Sequence, residues 1–344
     1  MLVVFSAFLP ERRFEAMAMV SLLDIQTART RIADHIRRTP IELSRSLSRN
    51  AGVPVHLKLE HRQVTGAFKL RGAINTVLSL SEDAKVRGVV AASTGNHGRA
   101  LAHAARMAGI PCAICLSHLV PANKVEAIRL LGAKVHIHGI SQDDAQREVD
   151  RLARQEGLVE VPPFDHPSVI AGQGTIGLEI VEDVPGVDVV LVPLSGGGLI
   201  AGIATAVKTL KPETRVIGIS MERGAAMAAS LSKGHPIEVN ELPTLADSLG
   251  GGIGLANRWT FRAAQTLVDD VVLLSEAEIA SGIRHAYFQE HEVVEGAAAV
   301  GIAAILAGRI KTRGPVVAVL TGRNIDTDLH YRVLGGANAL ERAA

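Results

Sequence analysis

The chain has 344 residues, a length that suggests about two domains, and 47% of them are hydrophobic, enough for a large core. Lys+Arg is 36 and Asp+Glu is 35, so the formal net charge of +1 advertises neither a nucleic-acid partner nor disorder. Aromatics are only 3%, which leaves the core to aliphatic residues and Ala, while the 33 glycines exceed the usual share and each costs conformational entropy on folding.

The N-terminal stretch MLVVFSAFLPERRFEAMAMV lacks a basic n-region and a small-residue cleavage site, so it does not read as a signal peptide. Residues 1–18 read as a leader without a fold role, and regular pattern begins near Leu22. From residue 55 short apolar runs alternate with segments of helical period. The predicted strands are 55–60, 88–93, 112–116, 134–138, 187–194, 215–220, 270–274 and 315–320. The predicted helices are 67–80, 98–108, 121–131, 141–156, 167–182, 198–210, 276–290 and 296–309. Most strands are continuous Val/Ile/Leu/Ala runs, the pattern of strands buried on both faces. The expected class is therefore α/β, with mostly parallel sheet flanked by helices. The Pro-rich loop V-P-P-F-D-H-P (161–167) is the best candidate for a domain break. The longest fully apolar stretch, Gly296 to Gly308, has 13 residues, short of the ~20 that a bilayer needs. Two cysteines exclude a disulfide framework and point to a reducing compartment, the cytoplasm.

Ligands of such sheets sit outside the carboxyl ends of the strands, where three Gly-bearing turns stand out: A-S-T-G-N-H-G (92–98), P-L-S-G-G-G-L (193–199) and L-T-G-R-N (320–324). Ser195-Gly196-Gly197-Gly198-Leu199 follows a strand and opens a helix, so its N–H groups and the helix N-terminus make a phosphate-sized anion site. Gly196, Gly198 and Ala201 also satisfy the G-x-G-x-x-[GA] dinucleotide pattern, with Glu222 near the place of a ribose-binding acid. A tight turn for helix–strand packing is the third reading, and the turn alone leaves all three open. Lys69, in T-G-A-F-K-L-R-G-A, has apolar and small neighbours near a predicted helix start. Burial and the helix N-terminus both lower an amine's pKa, as Schiff-base chemistry requires. The alternative is a lysine whose stem packs on the core. Cys112 and Cys115 sit three apart on a strand and so face opposite ways. His136 and His138 share a strand face with no third ligand in view.

Taken together, F-K-x-R-G-A, S-x-G-N-H, the glycine turn, a terminal T-G-x-N and I-A-G-Q-G-T-I (170–176) resemble the threonine/serine dehydratase family. These are fold type II enzymes of pyridoxal 5'-phosphate (PLP), related to serine racemase, each with two lobes of mostly parallel sheet. The resemblance spans about residues 21 to 335. T-G-A-F-K-L-R-G-A and A-D-S-L-G-G-G-I-G (246–254) are similar to the subgroup called hydroxyectoine utilization dehydratase.

The resemblance implies a large lobe of 19–84 plus 165–335, a small lobe of 85–164 and a tail of 336–344. It implies that Lys69 carries PLP and shuttles the Cα proton, with Phe68 flanking the ring. Ser195, Gly196, Gly197, Gly198 and Leu199 would hold the phosphate, Asn96 the 3'-oxygen and Thr321 the pyridine nitrogen. Ser93, Thr94, Gly95 and His97 would bind the substrate carboxylate, with His97 alternatively a packing residue. Thr94 matches the second acid of the racemases. Glu295 would sit near the cofactor or cap the helix at Gly296, and Ser248 would border the substrate. The sequence departs from the family at Ser195 for Gly, Gly296 for Pro, Arg323 for a small residue and Ser248 for Gly. Only Glu222 is acidic where many relatives hold a cation, so no metal site is expected. The implied reaction eliminates water from a β-hydroxy amino acid, giving a 2-oxo acid and ammonia. Candidate substrates are L-threonine, L-serine, 3-hydroxyaspartate and the hydroxylated diaminobutyrate of hydroxyectoine breakdown. Only residues 325–344 follow the last turn, which leaves no room for a C-terminal regulatory domain. The expected partner is a second copy of the chain. A racemase, an NAD-type oxidoreductase and a non-catalytic binder are the alternatives.

Overall fold

A computed structural model describes residues 20–340 apart from Thr94 and Pro121. The leader 1–18 and the end of the tail therefore lie outside the described residues, as does Thr94.

Among the described residues ten strands form two sheets. They are β1 (Ile41–Ser44), β2 (Val55–Lys58), β3 (Val89–Ala92), β4 (Cys112–Leu116), β5 (Lys134–Ile137), β6 (Val159–Glu160), β7 (Val189–Pro193), β8 (Arg215–Met221), β9 (Asp270–Leu274) and β10 (Val316–Val319). The six-stranded sheet has the order β1-β2-β10-β7-β8-β9, antiparallel only at β1–β2, and the four-stranded sheet β5-β4-β3-β6 is parallel throughout. The eight predicted strands are all present. β1 and β6 were not expected: one is a four-residue antiparallel edge and the other has two residues.

Burial on both faces follows from the alternation of side chains along a strand. In β7, Val189 and Leu191 enter one core while Val190 and Val192 enter another. In β3, Val89 and Ala91 face one core, and Val90 and Ala92 face the other. In β4, Cys112 and Cys115 fall into different cores, as their spacing required. Both thiols are free and buried.

Helices fill the intervals. Three begin with reciprocal capping boxes, Ser21 with Asp24, Ser141 with Asp144 and Ser275 with Glu278. Part of the glycine surplus goes into helix–helix contact rather than ligand turns. Gly72 of helix Lys69–Ser79 meets Gly172 of helix Pro167–Asp183 so closely that a Cβ on Gly172 would lie 2.6 Å from the Gly72 Cα. This packing presses the lysine helix against helix Pro167–Asp183. No described helix is long and apolar enough to cross a membrane.

Candidate active site

Four strand ends converge on one cavity of about 420 Å³. The segments after β2, β3, β7 and β10 supply Lys69, Asn96, the glycine turn and Thr321 to its walls.

Lys69 is the first residue of its helix. The loop before it is sewn to the turn after β10. Ala67 bridges Gly322, the Phe68 N–H donates to the Thr321 carbonyl at 3.0 Å, and the Arg323 N–H donates to the Gly66 carbonyl at 2.9 Å. Lys69 Nζ donates to the Pro163 carbonyl at 2.6 Å and lies 5.2 Å from the Phe68 ring centroid. Burial lowers its pKa to about 8, against the charge of Glu295, which raises it.

The glycine turn ends β7 and opens helix Gly198–Leu210. Gly197 has φ +89°, a conformation that costs an L-residue ~1–2 kcal/mol. A Cβ on Gly196 would stand 2.3 Å from the Phe164 ring, and one on Gly198 would stand 2.9 Å from the Phe164 backbone. The turn is thus a bare-backbone cradle against Phe164. Asp165 holds that loop in place by accepting from the N–H groups of Arg258, Trp259 and Thr260 at 2.8–2.9 Å. Ser195 needs no positive φ, since His291 is the one non-Gly residue with that conformation among the described residues. Leu199 is buried at the cavity wall.

Asn96 starts helix Asn96–Ala108. Its Nδ2 donates to Glu295 Oε1 at 2.8 Å and Oε2 at 3.1 Å, and its Oδ1 accepts from Asn324 Nδ2 at 2.6 Å. Glu295 sits at an N-cap position without a side-chain cap; its carboxylate turns to Asn96 instead. The Ser93 hydroxyl accepts from the Gly98 N–H at 3.1 Å. His97 is buried, with Nε2 donating to the Val161 carbonyl at 2.7 Å; burial and then Lys69 push its pKa down to about 3, so it stays neutral. Its ring lines the cavity and is held by the backbone. Ser248 reaches the cavity beside Asp247 and Gly250, with Glu241 adjoining.

Pro163, Phe164 and Glu241 escaped the sequence reading. The cluster V-P-P-F-D-H-P was visible, but as a domain break; it is also a cavity wall. Glu222, the acid of the dinucleotide reading, is exposed beyond β8 and does not line the cavity.

These features fit PLP. Three glycines lining the cavity at a helix N-terminus leave bare backbone N–H groups that suit a phosphate, an amine with lowered pKa suits the aldehyde, and the buried Thr321 lines the same space. The sequence profile described as "Pyridoxal-phosphate dependent enzyme" matches residues 32–322. The chain belongs to that family.

A Sinorhizobium fredii protein, provisionally named a threonine dehydratase, is 59% identical over 321 residues, covering 93% of this chain and 97% of its own. The L-threonine ammonia-lyase of Thermotoga maritima is 43% identical, over 92% of this chain and 78% of its own. Maize serine racemase superposes with a TM-score of 0.87 at 31% identity, covering 92% of this chain and 98% of its own. The chain is accordingly a PLP-dependent lyase of the threonine dehydratase-like type, with the fold type II architecture of two lobes.

Proposed function

We propose that this lyase removes water from a β-hydroxy amino acid whose far end carries an ammonium, with a hydroxylated diaminobutyrate as substrate. One observation carries the choice. Glu241 and Asp247 both line the cavity beside Ser248, and Lys69 is the one cationic side chain lining it among the described residues. A terminal ammonium would find two carboxylates there, a charge complement that the methyl group of threonine cannot use.

In this reading Lys69 Nζ would hold the cofactor and, once the substrate amine has displaced it, would be free to take the Cα proton. Its lowered pKa supports that role, because burial leaves a larger neutral fraction near pH 8. Bound PLP supplies the electron sink that lets the Cα–H bond break. Backbone N–H groups of Gly196, Gly197 and Gly198, with Ser195, would hold the phosphate. Phe68, Asn96 and Thr321 would hold the ring, and Glu295 orients Asn96. Ser93, Gly95 and the N-terminus of helix Asn96–Ala108 bind the substrate carboxylate. Ser248, Asp247 and Glu241 bind the far end. Thr94, next to Ser93 in the sequence, is the candidate second acid. Water leaves from Cβ, and the released enamine tautomerises and takes up water to give a 2-oxo acid and ammonia.

We place the small lobe at 85–164 and the large lobe at 19–84 with 165–335, since β3 through β6 all fall between Val89 and Glu160. A homodimer is supported by the exposed aromatics Phe288 and Tyr331, 54% and 78% accessible, which a second copy would cover. Light scattering on the purified protein tests it. The two cysteines, both free, support a cytoplasmic setting.

Two assays test the function. Ammonia release should favour the hydroxylated diaminobutyrate over L-threonine by at least about tenfold in kcat/KM, ~1.4 kcal/mol. Glu241→Gln with Asp247→Asn should erase that preference and spare threonine turnover. A wild-type preference for threonine, or equal loss on both substrates, overturns the substrate. Borohydride reduction of the PLP-loaded protein should label Lys69; a different labelled lysine overturns its role.

A further inference from the structure

Arg71 stands two residues after Lys69 and is completely buried. Two residues along a helix turn the side chain through roughly 200°, so Lys69 faces the cavity while Arg71 points away from it. All five guanidinium N–H donors are engaged. Nε donates to Glu60 Oε2 at 2.9 Å and Nη2 to Glu60 Oε1 at 2.8 Å. Nη1 donates to Glu179 Oε1 at 2.7 Å and to Thr175 Oγ1 at 3.1 Å, and Nη2 also reaches Glu179 Oε2 at 2.9 Å. Lys58 completes the cluster by donating to Glu179 and, at 2.6 Å, to the Thr39 carbonyl. Two cations face two carboxylates, so the buried charge balances.

Four elements meet in this cluster: the end of β2, the short turn Glu60–Arg62, the first turn of helix Lys69–Ser79, and helix Pro167–Asp183. That first turn needs an external hold. The opening residues of a helix lack intrahelical partners for their N–H groups, and Phe68 at the N-cap carries no capping side-chain bond. Lys69 therefore occupies the part of the helix most prone to fray.

We propose that Arg71 is a positioning residue: its two-carboxylate grip on Glu60 and Glu179 fixes the first turn from behind and thereby holds the Lys69 amine at the cavity wall. A buried ion cluster is not by itself a gain in stability, because desolvation offsets much of the attraction. Its planar fork instead sets orientation, which a lysine at the same place cannot reproduce. The proposal rests on Lys69 being the working amine, which the borohydride experiment decides independently.

The test uses Lys69 itself in cofactor-free protein. The pH midpoint of its modification by a small amine reagent is read by mass spectrometry, next to thermal melting. Arg71→Lys keeps the charge and loses the fork. Arg71→Met with Glu60→Gln keeps Lys58 and Glu179 as a balanced pair. Thr175→Val removes a single bond to Nη1 and stays folded if the larger changes do not. A loosened turn lets the amine reach water, so the midpoint should rise by about one pH unit, with labelling at pH 7 down about tenfold. Thr175→Val should move it the same way by less. Variants that melt earlier yet label Lys69 with the wild-type midpoint overturn the proposal and leave Arg71 a core residue only.

Discussion

The side-chain amide of Asn96 donates to both carboxylate oxygens of Glu295. Asn96 opens the helix that follows β3 in the four-stranded sheet, and Glu295 precedes helix Gly296–Leu306 beside the six-stranded sheet. The contact therefore joins the two halves of the molecule at the floor of the cavity. Asn324 fixes which way the Asn96 amide faces, because an Nδ2 donor tolerates only the oxygen of its neighbour.

The charge of Glu295 is also what works against burial at Lys69. Glu295→Gln keeps the shape and removes the charge, so the Lys69 pKa should fall below its present value of about 8. A drop of roughly one unit corresponds to ~1.4 kcal/mol. The labelling midpoint of Lys69 in cofactor-free protein measures it. An unchanged or higher midpoint would show that the carboxylate does not act on the amine.

Gly196→Ala places a methyl 2.3 Å from a Phe164 ring carbon, so one of the two must move. PLP affinity should drop at least about tenfold, ~1.4 kcal/mol. Adding Phe164→Ala should restore part of that loss by clearing the ring. Gly197→Ala should not be rescued in the same way, because its φ of +89° strains any L-residue and its Cβ would meet Met227 and Thr260 instead. Titration with PLP followed by absorbance distinguishes the cases; full rescue of Gly197→Ala by Phe164→Ala would defeat the argument.

The sequence made the repeating architecture legible because buried parallel strands are written as unbroken aliphatic runs. Those of β7 and β10 are examples, and both strands feed two cores. β1 escaped because Ile41–Ser44 is short, antiparallel and only partly buried, so its composition carries no such run. Helices Arg45–Ala51 and Glu82–Arg87 escaped because two turns are too few to show a period. Within the site, the residues that share a local motif were readable: Lys69, Asn96, Gly196 to Gly198 and Thr321. Pro163, Phe164 and Glu241 reach the cavity from loops distant in sequence, and nothing local distinguishes a proline carbonyl that will receive an amine from any other.

Burial raises the Cys112 thiol to about 12, and burial followed by the charge of Glu148 does the same for Cys115. At pH 8 the thiolate fraction is then about a thousandfold below that of an ordinary thiol near 8.5. Neither cysteine should react with a disulfide reagent in the native state, and both should react at once in guanidinium. Release of one equivalent of chromophore from native protein would place a thiol at the surface.

Glu290 offers a pH test remote from the cavity. Its Oε1 accepts from Ser44 at 2.7 Å, from Ser46, and from His285 at 3.2 Å. Burial alone would raise its pKa, but the hydrogen bonds from His285, Ser46 and Ser44 outweigh it and hold the carboxyl down to about 2, against 4.5 for the free group. A carboxyl that is more acidic folded than unfolded stabilises the fold fully above the unfolded value. That contribution is lost as pH falls from 4.5 toward 2, where the unfolded chain binds the proton first. Glu290→Gln has no such contribution to lose. Its urea midpoint should lie below that of the wild type near pH 6, and the two should converge as the pH is lowered through 4 toward 3. The segment around Glu290 also holds His291 at φ 57°, a strained backbone that the Ser44, Ser46 and His285 contacts steady from one side. A gap between the two proteins that stays constant from pH 6 to 3 would mean that Glu290 acts there through shape and not through its charge.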